Sequence, residues 1–200
     1  MMQSVSEPSY WEQRYQEQAT RWDLGQAAPA FVSLLNSEKK PNPGRTAVLG
    51  CGRGYDALLF AAHGFEVVGF DFAPSAIAQA ISLAQATNST AEFLQRDIFE
   101  LATEFPQDFM YVVEHTCFCA IPPEQRGDYV QLVRSLLQPQ GELIALFFTH
   151  TRPGGPPFGS TPAEIYQYFE VDFEILFLEP VLNSIPSRQG EEHIGRFRLR

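Results

Sequence analysis

The sequence predicts an α/β fold: a seven-stranded, mostly parallel sheet with helices on both faces and a C-terminal antiparallel hairpin. Three observations predict it. From residue 46 onward, short apolar runs alternate with amphipathic stretches, the βα rhythm of a parallel sheet. Beyond residue 170, two period-2 stretches follow one another with no helix between them, as an antiparallel pair does. Between the first apolar run and the next amphipathic stretch lies Gly50-Cys51-Gly52-Arg53-Gly54, a tight turn opening a helix.

The elements follow in order. Ser9 and Glu12 have the S-x-x-E spacing of a capping box, at the start of a helix carrying Trp11 and Tyr15. A second helix covers 29–36 and ends in the breaker-rich Lys39-Lys40-Pro41-Asn42-Pro43-Gly44. Strands are expected at 46–50, 66–71, 91–95, 109–113 and 142–148, with helices at 56–63, 74–85 and 124–137. Val171, Phe173, Ile175 and Phe177 alternate with Asp172, Glu174 and Leu176. Phe197 and Leu199 then alternate with Arg196, Arg198 and Arg200, which completes the hairpin. The stretch 149–160, with Gly154, Gly155, Pro156 and Pro157, is long enough to be functional, as a closing lid or as a rigid loop.

Composition narrows the classes. At 200 residues the chain is read as one domain, 1–200, with 1–40 as an N-terminal helical cover. Hydrophobic residues at 44% against 19% charged exclude intrinsic disorder. The 14 basic and 24 acidic residues leave a net charge of −10, which speaks against nucleic acid and against an anionic membrane surface. Three cysteines cannot all pair within the chain, and a reducing compartment is the simpler reading. Residues 1–8 carry no leader pattern, and the longest apolar runs, such as 143–148, are strand-sized. A cytoplasmic protein with no membrane partner is expected. The oligomeric state stays open, with a monomer as the default.

The glycine loop gains meaning from Asp71 at the end of the second strand. Glycine lets a ligand approach bare backbone, and an acid at that place accepts hydrogen bonds from ribose hydroxyls. Asp71 also reads as a cap for the helix at 74. After the third strand, Asp97 and Ile98 are placed to meet an adenine, or Asp97 simply caps a turn. The third glycine comes one residue too early for a dinucleotide fingerprint, which disfavours a nicotinamide dehydrogenase.

These features together resemble the class I, Rossmann-like S-adenosylmethionine-dependent methyltransferases. The likeness narrows further. Trp11-Glu12-Gln13-Arg14-Tyr15, Trp22-Asp23-Leu24-Gly25 and Pro29 are similar to the N-terminal signature of the thiopurine S-methyltransferase family. So are Gly50 to Asp56, the run Cys119-Ala120-Ile121-Pro122-Pro123-Glu124-Gln125-Arg126 and Gly155-Pro156-Pro157-Phe158. Within that family the sequence most resembles the plant-type halide/thiol methyltransferases, from Trp11 to the end.

The resemblance implies S-adenosylmethionine as cofactor, S-adenosylhomocysteine as product and a small-molecule acceptor. It implies that Trp11, Tyr15 and Trp22 cover the cofactor, where an aromatic face attracts a sulfonium cation; as plain residues they also read as core anchors. Gly50 and Gly52, Asp71, and the Asp97-Ile98 pair match the positions for the methionine end, ribose and adenine. Glu114 and His115 join that cofactor set. The fourth strand ends Glu114-His115-Thr116-Cys117-Phe118-Cys119, where relatives commonly show Asp-Tyr-Thr-Phe-Phe-Cys. These departures bear on the acceptor pocket.

His115 is the one catalytic candidate, as a general base; its blander role is lining the pocket. His115, Cys117 and Cys119 invite a metal reading, but three ligands in one short run lack a completing pair, and no metal is expected. A soft nucleophile such as a thiol, hydrosulfide, thiocyanate or halide needs positioning and loss of water more than acid–base help. The alternatives are a larger aromatic thiol or an oxygen or nitrogen acceptor using His115 as base, and a catalytically silent cofactor-binding protein. Arg14, Arg53, Arg126 and Arg152 are the candidates for guiding an anionic acceptor.

Overall fold

The computed structural model describes residues 4–200; residues 1–3, at the start of the expected cover, lie outside the described part. One seven-stranded sheet organises the chain, in the order β3-β2-β1-β4-β5-β7-β6. The strands are β1 (Arg45–Leu49), β2 (Glu66–Asp71), β3 (Glu92–Gln95), β4 (Phe109–His115), β5 (Leu137–Phe148), β6 (Phe173–Pro180) and β7 (Glu192–Leu199). The first five pair in parallel, while β7 lies antiparallel between β5 and β6. The expected hairpin is there, with β6 outermost.

Alternate strand residues feed two cores. Ala47 and Leu49 of β1, Phe70 of β2 and Val112 of β4 join Phe118, Tyr129, Phe147, Phe169 and Phe197 on one face. That face is covered by α5 (Leu101–Glu104), α6 (Arg126–Leu136) and α7 (Pro162–Phe169). Val48, Val67 and Val113 point to the other face, against Phe31, Phe60 and Ile77. These last come from α2 (Pro29–Leu35), α3 (Tyr55–Ala62) and α4 (Pro74–Ala86). Because both faces are covered, the central strands are buried at consecutive positions rather than at alternate ones.

Several local expectations are corrected. The first helix, α1 (Pro8–Gln16), has no side-chain cap, since Pro8 at its first turn moves the start ahead of Ser9. Glu12 instead binds Ser75 at the start of α4. The capping box that does form is Thr161 with Glu164, on α7, a helix the β-rich reading of the C-terminal part passed over. Strand β5 begins at Leu137, where a helix end was expected, and its pairing with β4 shifts register between Phe109 and Tyr111.

The order 3-2-1-4-5 places the site. Connections run one way from β1 to β3 and the other way from β4, so a crevice opens where the carboxyl ends of β1 and β4 diverge.

Candidate active site

A cleft of about 630 Å³ occupies that switch point. It is lined by Gly50 after β1, Asp71 at the end of β2, Asp97 and Ile98 after β3, His115 and Thr116 at the end of β4, and Phe148 at the end of β5. Trp11, Tyr15 and Trp22 close it from the N-terminal side. The two tryptophans meet edge to face at 5.2 Å between ring centroids, and Tyr15 meets Trp22 at 5.7 Å. Of the ten residues expected at the site, these eight meet on one cavity: Trp11, Tyr15, Trp22, Gly50, Asp71, Asp97, Ile98 and His115.

Gly52 and Glu114 do not line this cleft. Gly52 lines a smaller adjoining space behind Tyr15 and Gly50. Glu114 is fully buried: one oxygen accepts the Phe118 N–H at 2.8 Å and the other has no partner. Burial pushes its carboxyl up to about 7, against the lowering effect of the Phe118 bond. It anchors the turn after β4, in which Thr116 holds φ +61°, a costly conformation for a β-branched residue.

Asp71 shows how backbone builds the site. Its two oxygens accept the N–H groups of Gly52, at 3.0 Å, and Ala73, at 2.9 Å. Burial raises its carboxyl to about 6 although these bonds lower it. Each oxygen keeps a further lone pair for a ligand hydroxyl. Gly50 sits at φ +59°, and a Cβ there would stand 3.2 Å from the Cys117 sulfur, so the close approach requires glycine. Asp97 accepts the Phe99 N–H at 3.0 Å as a turn cap, and it lines the cleft as well.

Ile121, Pro122, Phe148, Pro156 and Pro157 give the cleft an apolar wall. Arg188 enters here. It was missed in the sequence because it lies between Pro186 and Gly190 in a segment without periodicity. Of the four arginines proposed for acceptor guidance, Arg14 alone lines the cleft, with Arg21 and Arg188 joining it. Arg53 pairs with Asp23 and Arg152 with Glu191. Arg126 is buried and donates to the Phe158 and Gly159 carbonyls, both at 3.0 Å. Phe158 in turn donates its N–H to the Cys119 carbonyl at 2.7 Å. These bonds tie the 149–160 loop to the turn after β4 and to the start of α6.

His115 has both ring nitrogens engaged. Nδ1 lies 2.7 Å from an Asp56 oxygen and Nε2 lies 2.8 Å from Arg188. Cys117 and Cys119 also line the cleft; burial pushes the Cys117 thiol well up and the Cys119 thiol up to about 12. Neither is a nucleophile at neutral pH.

The thiopurine S-methyltransferase family model matches residues 6–199. The chain belongs to this family. As a family member it is an S-adenosylmethionine-dependent methyltransferase. It is 35% identical to "Thiocyanate methyltransferase 1" of Arabidopsis thaliana over 196 residues, spanning 94% of this chain and 83% of that protein. It is 32% identical to "Probable thiol methyltransferase 2" of the same plant over 192 residues, spanning 94% and 84%. In fold it is similar to the magnesium protoporphyrin IX methyltransferase of Synechocystis PCC 6803, with a TM-score of 0.76 at 17% identity, covering 100% of this chain and 99% of that one. The residues at the switch point fit the family's cofactor: a buried acid on β2, bare backbone at Gly50, and aromatic faces suited to a cation. Among the described residues, no helix is long and apolar enough to cross a membrane.

Proposed function

We propose that this family member methylates a small soft nucleophile, a thiol, hydrosulfide, thiocyanate or halide, by in-line displacement. The observation that carries the reading is the chemistry of the cleft's lining. Its walls are apolar, its cations are arginines, and its histidine has no free ring nitrogen. Such a pocket suits an acceptor that arrives as an anion, a thiol having already given its proton to solvent, and that needs only to lose water. The names of the relatives at 35% and 32% identity point the same way.

When bound, S-adenosylmethionine supplies an electrophilic methyl carbon on a sulfonium. In this reading Asp71 holds the ribose, and Asp97 and Ile98 bound the adenine. Trp11, Tyr15 and Trp22 shield the cationic centre. The apolar wall strips water from the acceptor, and Arg14, Arg21 and Arg188 offset the repulsion from a chain of net charge −10. Salt screens that repulsion beyond about 8 Å, so nearby arginines outweigh the distant acids.

The cleft volume of about 630 Å³ favours one second reading, a larger aromatic thiol seated against Phe148 and Pro157. Incubation with the methyl donor and iodide, thiocyanate, hydrosulfide or an aromatic thiol, with headspace and chromatographic detection, separates the two. Volatile methyl products support the first reading, and turnover of the aromatic thiol alone supports the second. Donor binding without product from any soft acceptor removes both.

A further inference from the structure

His115 sits in a largely buried chain of polar groups drawn from α3, β4, the β6–β7 turn and β7. On one side Asp56 of α3 receives Nδ1 at 2.7 Å, and its other oxygen accepts the Ala28 N–H at 2.7 Å. On the other side the Arg188 guanidinium meets Nε2 at 2.8 Å. Arg188 is 7% exposed and divides its donors between His115, Glu192 of β7 at 3.2 Å and the Trp22 carbonyl at 2.5 Å.

An arginine only donates, so Nε2 is the acceptor and the ring proton rests on Nδ1, toward Asp56. The arrangement therefore requires neutral His115 in one tautomer. A second proton, on Nε2, sets an imidazolium N–H against a guanidinium N–H at hydrogen-bond distance. Arg188 must then leave, while Glu192, 4.0 Å from Nε2, stands ready to accept the new N–H.

We infer that His115 is a positioning residue: neutral and protonated on Nδ1, it holds Arg188 in the acceptor wall of the cleft, and gaining a proton releases it. This rests on the reading of the apolar wall beside Arg188 and Phe148 as the acceptor's. Acidification then weakens acceptor binding more than it slows the chemical step. Arg188 also grips the Trp22 carbonyl, so its release loosens the cover at the same moment.

Other groups face this histidine. Asp56, Arg188 and Glu192 touch it or lie beside it, and Phe31 of α2 meets it edge to face at 6.1 Å. The Asp23–Arg53 pair lines the small adjoining space with it. Glu114, its neighbour on β4, is buried and carries its own charge change near neutrality.

The first test needs no acceptor. Long-range nitrogen–proton NMR on histidine-labelled chain, with His115→Gln to assign the signal, reads the tautomer directly. The expected result at about pH 8 is a protonated Nδ1 and a bare Nε2. The Nε2–H tautomer, or an imidazolium at that pH, overturns the proposal whatever the enzyme methylates.

The second test uses iodide, whose charge is constant with pH. Acceptor KM is expected to rise about five-fold or more on acidification, with a smaller change in kcat. In His115→Gln, which keeps an acceptor for Arg188 but gains no proton, KM is expected to lose this dependence. His115→Ala, which leaves Arg188 without that acceptor, raises KM more than His115→Gln does. A pH dependence that survives in His115→Gln belongs to another group, such as Asp71 or Glu114, and overturns the proposal. If no acceptor turns over, the functional reading fails and the tautomer measurement still decides this one.

Discussion

Glu12 on α1 accepts two hydrogen bonds from Ser75 at the start of α4, from its backbone N–H at 2.9 Å and from its hydroxyl at 2.6 Å. A carboxylate at a helix N-terminus meets unpaired N–H groups and the positive end of the helix dipole. Partial burial raises the Glu12 carboxyl, but the Ser75 bonds outweigh it and hold it below its ordinary value. The contact ties the aromatic cover to the loop that carries Asp71.

Glu12→Gln removes the charge and keeps the shape. The loss of about 1 kcal/mol typical of such a cap predicts cofactor binding weakened about five-fold, read by calorimetry. The sign of the pH effect follows from the lowered carboxyl: the anchor is complete above the unfolded value and is lost as pH falls through the folded one. Unchanged affinity in the variant would show that the cover needs no such anchor.

Trp11 and Trp22 line the cleft. An aromatic ring near a cation contributes about 0.5–2 kcal/mol, and the reacted cofactor has lost its sulfonium charge. Trp11→Leu is therefore expected to weaken the methyl donor about 2- to 30-fold, and to weaken S-adenosylhomocysteine less. Equal losses for the two ligands would mean that Trp11 acts by shape alone.

Asp71→Asn keeps one acceptor oxygen where the wild type has two, so one of the Gly52 and Ala73 N–H groups loses its partner. Hydrogen bonds to charged groups contribute about 1.5–3 kcal/mol, which predicts at least a tenfold loss of cofactor affinity by calorimetry. Retained affinity would remove Asp71 from the ribose role.

Glu114 makes a stability prediction. Its folded carboxyl is raised to about 7 by burial, so its contribution is full below the unfolded value and is lost as pH rises through the folded one. Glu114→Gln keeps an acceptor for Phe118 and never ionises. Relative to wild type, the variant should gain up to about 2–3 kcal/mol between about pH 4.5 and pH 8, seen as a rising difference in Tm. A constant difference across that range would contradict the raised carboxyl.

Much of the site was legible because it sits on strand ends. Gly50, Asp71, Asp97 and His115 each follow an apolar run, and a parallel sheet brings such ends to one side. The helix α7 was also within reach: Thr161-Pro162-Ala163-Glu164 before Ile165 is a capping box followed by an apolar residue, overlooked beside the stronger period-2 signal after it. Ser9 and Glu12 carry the same spacing without the structure, since Pro8 had already set the helix start and Ser75 supplied Glu12 with a better partner.

Chain periodicity and turn chemistry established the layered sheet, the glycine turn, the acid on β2 and the family motifs, because burial and backbone conformation are written locally. Which polar groups meet is another matter. His115 finds Asp56 across 59 residues and Arg188 across 73, and the contacts hold at 2.7 and 2.8 Å. No period encodes such pairs; they arise from how strand ends, the β6–β7 turn and the cover converge. That convergence sets His115 between a carboxylate and a guanidinium, since a hydrogen bond is settled by ångströms and a pattern only by faces.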